Sequence, residues 1–221
     1  MARRSAKQRQ KARQRKRAKR KQRKGRPGAS WSGLQSTRSL LRASGHWPLH
    51  ECLLSKEWQQ EGAITQILVA RHSPLGQIVS GTFLVDLGCL GVKSAFASLF
   101  DSRREYEQKL RDGVMSRQSM IRADLDLVAK IIREAIAYAD ELGFKPDPDY
   151  RDAMLVLGDA DADVCDVPIP LGGKDGKPFF IAGPYDNVDR IMAKLTRKLG
   201  PDGFHFLYPL GGDEELFFPD E

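Results

Sequence analysis

Residues 77–93 read QIVSGTFLVDLGCLGVK. Residues 82–88, TFLVDLG, form the densest β-branched and aromatic apolar run in the chain. A run that short, bounded by turn residues on both sides, predicts a strand buried on both faces. It ends in Gly88-Cys89-Leu90-Gly91, where two glycines let the backbone turn sharply. Asp86 lies inside the run and Lys93 just beyond it, so a carboxylate, a thiol and an ammonium are expected at one corner of the core.

Upstream, Ser73-Pro74-Leu75-Gly76 is a turn, and AITQILVAR at 63–71 reads as the strand paired with the central run in a hairpin. Partial alternation from Leu49 to Ser55 predicts another strand. Trp31, Leu34, Leu40 and Leu41 suit a short helix within 31–46. Downstream, Tyr106, Leu110 and Val114 recur every four residues, with Gly113 weakening that helix. A longer amphipathic helix carries Leu125, Val128, Ile132, Ala135, Ala139 and Leu142, and Gly143 followed by Pro146 ends it. Residues 149–157 add a short helix. Val167–Leu171, a glycine-rich turn and Pro178–Gly183 suggest a second hairpin, whose two prolines place its first arm at an edge. Asp186 or Asn187 is expected to cap a helix bearing Val188, Ile191, Met192, Leu195 and Leu199, which Gly200-Pro201 stops. A strand at Phe204–Leu207 and an acidic end follow.

Hairpins without regular βαβ alternation favour an α+β fold: a small, mainly antiparallel sheet packed by three to four helices. The expected division is a basic arm and linker over residues 1–30 and one α+β domain over 31–221.

Of the 221 residues, 41% are apolar, enough for a folded core, and no 18-residue apolar stretch suits a membrane span. The basic N-terminus lacks the apolar segment of a secretory signal. Three cysteines, Cys52, Cys89 and Cys165, point to a reducing compartment, the cytoplasm, or the nucleus in a eukaryote.

The charge is sharply segregated. Residues 1–50 hold 17 Lys/Arg and no acid, whereas the other 171 residues hold 19 bases against 29 acids, a net of −10. Residues 1–26 alone carry 15 cations, Arg3, Arg4, Lys7, Arg9, Lys11, Arg13, Arg15, Lys16, Arg17, Lys19, Arg20, Lys21, Arg23, Lys24 and Arg26, with no Leu, Ile, Val or aromatic residue. Such a segment has nothing to bury and repels itself, so disorder is expected. Its Ala, Gln, Lys and Arg are nevertheless good helix formers, so it becomes helical once phosphates neutralise the repulsion. Cations at this density bind phosphates by releasing condensed counterions, and Arg-rich arms order themselves on structured RNA. RNA is preferred to DNA because no groove-reading module is evident. A solvating or targeting tail is the alternative.

Other features carry weaker signals. Arg190, Lys194, Arg197 and Lys198 gather opposite the apolar stripe of the last helix, as a second contact or a solvated face. Cys89, with Lys93 to lower its pKa and His50 or His72 as base, has the composition of a nucleophile; a buried thiol is the bland reading. His50 and Cys52 would share a strand face and, with Cys89 and Cys165, make up a zinc set, although no CxxC pair exists. GDADADVCD at 158–166 opens like a calcium loop but has Val164 and Pro170 where Gly and Glu belong, so a solvated acidic loop is expected. Gly183-Pro184 before a helix suits an anion or an ordinary turn, and Asp186 beside it repels phosphate. Phe179-Phe180 is the one candidate for base stacking and reads better as core.

The expectation is therefore a non-enzymatic RNA-binding protein, associated with the ribosome or another ribonucleoprotein particle. Structured RNA and ribosomal proteins are its partners, and no membrane is among them. No catalytic residue, metal or cofactor is assigned. The contrasting reading is a cytosolic hydrolase or thiol-dependent enzyme at Asp86, Cys89 and Lys93.

Overall fold

The computed structural model describes residues 37–208. The 15 cations of the arm, Trp31, Leu34, Phe217 and Phe218 lie outside them. The described chain begins with α1 (Thr37–Ser44), in which Leu41 is buried. β1 (Leu49–Ser55), β2 (Ile64–His72), β3 (Ile78–Asp86) and β4 (Gly91–Phe100) then form an antiparallel meander. α2 (Arg103–Tyr106) continues through a π-helical turn (Glu107–Arg111) into α3 (Asp112–Met115). β5 (Met120–Arg122) adds to the outer edge of β1, giving the sheet order β4-β3-β2-β1-β5.

The sheet is covered on both faces because its central strands are apolar on both, as the run 82–88 predicts. Leu54, Ile67, Val69, Phe83 and Val85 meet Val128, Ile131, Ile132 and Ala135 of α4 (Leu125–Glu141). The same face receives Ala153 of α5 (Tyr150–Ala153) and Val156 of the 3-10 turn that follows it (Met154–Leu157). On the other face Leu53, Leu68, Ala70, Ile78 and Phe100 lie under Tyr106, Leu110 and Val114. Period two in the strands and period four in the helix thus build opposite sides of one sheet.

β6 (Phe179–Ile181), α6 (Val188–Leu199) and β7 (His205–Leu207) make a small lobe, β6 pairing with β7 in parallel. Its core joins Cys89 and Leu90 of the β3–β4 turn to Leu142, Phe180, Leu195 and Phe204. The central corner is therefore the turn of a hairpin onto which a second lobe docks.

The α+β class holds for the described residues. One expected strand does not. Val167–Leu171 is not a strand: Pro168 and Pro170 have no N–H to donate, and β6 takes its partner from β7 instead of closing a hairpin. β4 and β5 carry no expectation above, and β4 is nonetheless the full-length partner of β3.

Candidate functional site

Three devices shape the corner. Gly91 takes φ +65°, open to glycine at little cost, and lies so close to α4 that a Cβ would stand 2.9 Å from the Ala135 carbonyl oxygen. A Cβ on Gly88 would collide with the carbonyl oxygen of Phe179. Between β3 and β4 the register slips: Leu84 faces Ser94 and Val85 faces Val92, so Lys93 is the extra residue of a β-bulge. Bulges re-aim side chains, and this one turns Lys93 away from the sheet.

Lys93 stands between two carboxylates. Its Nζ donates to Asp186 Oδ2 at 2.7 Å and lies 3.9 Å from Asp86 Oδ2. Asp86, 1% exposed, accepts from the Cys89 N–H on Oδ1 at 2.9 Å, whereas its Oδ2 has no hydrogen-bond donor. Burial pushes its pKa up to about 6, against the opposing pull of Lys93 and the backbone N–H groups of Cys89 and Leu90. Asp186 also accepts from the Gly183 N–H at 2.8 Å, which closes the turn before α6. A cavity of about 270 Å³ opens beside this group, with Val92, Phe144, Pro146 and Ile191 as apolar walls and Lys93, Lys145, Asp147 and Asp186 as its charged lining.

The structure thus brings Asp86 and Lys93 together, as the sequence suggests, and adds Asp186, 93 residues from Lys93 with no local signal linking the two. It does not make Cys89 a nucleophile. That side chain is fully buried among Leu142, Phe180 and Leu195, and burial, then Asp86, pushes the thiol pKa up rather than down. Neither His50 nor His72 stands ready as its base. His72 pairs with Ile78 at one end of β3 and Asp86 closes the other, roughly 26 Å away at 3.3 Å per residue. The zinc set also separates. A bulge between Leu49 and Glu51 makes His50 the extra residue, so His50 stacks edge-on with Tyr106 on one face while Cys52 packs into the core of the other.

That second bulge positions a polar group the sequence did not single out. Glu51, buried, accepts from Tyr106 Oη at 2.5 Å and from Arg111 Nε at 3.0 and 3.1 Å. The π turn includes Arg111, and His50 touches His72 at 4.8 Å between ring centroids. Burial lowers the His50 pKa. Every oxygen of Glu51 is engaged, so the cluster ties helix to sheet. Arg71 does the same on the opposite face, donating to the carbonyls of Trp47, Val156 and Leu157.

On α6, Arg190, Arg197 and Lys198 are exposed, but Lys194 is held by the Gly143 carbonyl and stands 4.7 Å from the Phe144 ring centroid. The acidic loop is tied to α4, Asp163 pairing with Arg133 at 2.6 Å and Asp161 N–H donating to Asp126. Phe180 is core and stacks at 5.4 Å on Phe206, which with Tyr208 is among the exposed aromatics. Phe206 lies in the strand expected at Phe204–Leu207, and Tyr208 follows it directly. No helix of the described residues is long and apolar enough to cross a membrane.

No protein-family model, curated protein or solved structure matches the chain.

Proposed function

We propose that this is a non-enzymatic RNA-binding protein whose N-terminal arm grips phosphates. The observation that carries the reading is charge segregation: 15 cations and no acid within residues 1–26, against a net of −10 beyond residue 50. A polyanion is the natural partner of such an arm, and the affinity follows the number of cations rather than base sequence. Arginine's forked donors and stacking plane favour folded or single-stranded RNA. An acidic body attached to the arm suits docking on a large RNA–protein particle such as the ribosome, in the cytoplasm or, in a eukaryote, the nucleus. The exposed Arg190, Arg197 and Lys198 of α6 offer a secondary phosphate contact.

The thiol version of the enzyme reading draws no support from the corner, because a buried thiol with a raised pKa supplies no thiolate. Crosslinking and sequencing of bound nucleic acid, comparing the full-length chain with one lacking residues 1–26, tests the proposal. RNA recovered with the full chain and lost on deletion supports it. Equal recovery from both chains removes the arm from the role.

A further inference from the structure

We propose that the cavity beside Lys93 binds a small organic cation, a primary ammonium on an apolar body, which takes Asp186 as its counter-ion while Lys93 moves to Asp86.

The geometry is that of a lysine with two carboxylates and only one of them in use. Lys93 Nζ bonds Asp186 Oδ2 at 2.7 Å and stops 3.9 Å short of Asp86 Oδ2. The latter oxygen is buried and has no donor, an arrangement that native interiors rarely leave unexplained. A shift of about 1 Å brings the ammonium within hydrogen-bond distance of it. The bulge that frees Lys93 from the ladder gives the side chain room for that choice. Cys89 and Tyr138 also face Asp86 and are neutral with raised pKa values, so Lys93 is the cation available to it.

Once Lys93 hydrogen-bonds Asp86 it stays beside Asp186 but no longer donates to it, so Asp186 keeps the Gly183 N–H as its donor and faces the cavity. Asp147 lines the same space, and the Lys145 ammonium is engaged by Asp140. With Lys93 paired to Asp86 and Lys145 to Asp140, Asp147 and Asp186 are the lining charges left over. Anions are disfavoured and an ammonium is favoured. Val92, Phe144, Pro146 and Ile191 supply apolar contact for the rest of the ligand. About 270 Å³ is the room of roughly nine waters, enough for one ring with a two-carbon chain.

Calorimetric titration of the full-length protein with 2-phenylethylamine, at a pH where it is protonated, tests this. One-to-one binding is expected, with no binding of 3-phenylpropionate, which has a similar body and the opposite charge. Asp186→Asn should weaken binding at least tenfold. If that variant does not fold, Ile191→Phe, which fills the cavity and leaves every carboxylate in place, should abolish binding. Asp86→Asn lies outside the lining yet removes the second counter-ion of Lys93, so it too should weaken binding several-fold. Failure of the amine to bind, tighter binding of the carboxylate, or affinity indifferent to both aspartate changes would overturn the proposal. None of these outcomes touches RNA binding by the arm.

Discussion

Asp86 is a carboxyl group whose surroundings oppose its ionisation. Its pKa rises from 3.8 to about 6, chiefly by burial, so the folded state holds its proton more tightly than the unfolded chain. The sign follows by linkage: folded-state stability from this group is greatest below about pH 4 and is lost as the pH rises through about 6. The amount is on the order of 2–3 kcal/mol. Urea denaturation of wild type across that window should show this decline, and Asp86→Asn should flatten it; an unchanged slope in the variant would assign it to another group. Gly88 makes a different demand. Gly88→Ala drives a Cβ into the Phe179 carbonyl, where neither backbone can yield cheaply, and should cost about 2 kcal/mol or more in the same assay. Asp86, Cys89 and Lys93 were legible as neighbours because one turn holds all three. Asp186 was not, because only the docking of the second lobe brings it to Lys93.

Among the elements, the two bulges decide where charged side chains point. One aims Lys93 at the lobe junction and the other turns His50 and Glu51 together toward Tyr106. Neither leaves a signature in the sequence, since a bulge is a mismatch between two strands rather than a property of one. Tyr106→Phe keeps the ring against Phe100 and removes the hydroxyl that satisfies buried Glu51. A loss of about 1–3 kcal/mol in urea denaturation is expected; no loss would mean that Arg111 alone satisfies the carboxylate. β1, β2, β3, α4 and α6 were readable from period, and β1 spans the residues expected of it. Neither Asp186 nor Asn187 caps α6, however: Asn187 makes no side-chain cap bond, and Asp186 accepts from Gly183 and Lys93 instead. β4 was not readable: Ser94, Ala95, Ala97 and Ser98 have weak strand preference, and pairing along β3 decides the matter. The reverse holds for Val167–Leu171, apolar enough for a strand yet stripped of donors by its prolines.

At the scale of the molecule, residues 37–208 enclose two packed sheet faces and a lobe core, and residues 1–26 hold no Leu, Ile, Val or aromatic residue to add to them. Removal of residues 1–26 should therefore leave the thermal midpoint within a few degrees of wild type while reversing the sign of the net charge from +7 to −8. A large fall in the midpoint would show that the arm packs against the body. RNA binding by charge alone has a quantitative signature, because each phosphate contact releases a fraction of a counterion. The decisive measurement is the affinity of the full-length chain for RNA as a function of salt. Eight phosphate contacts on a single strand give a log–log slope of roughly −6, with binding lost when residues 1–26 are deleted. A slope near zero, or an affinity that survives the deletion, is incompatible with an arm that grips phosphates.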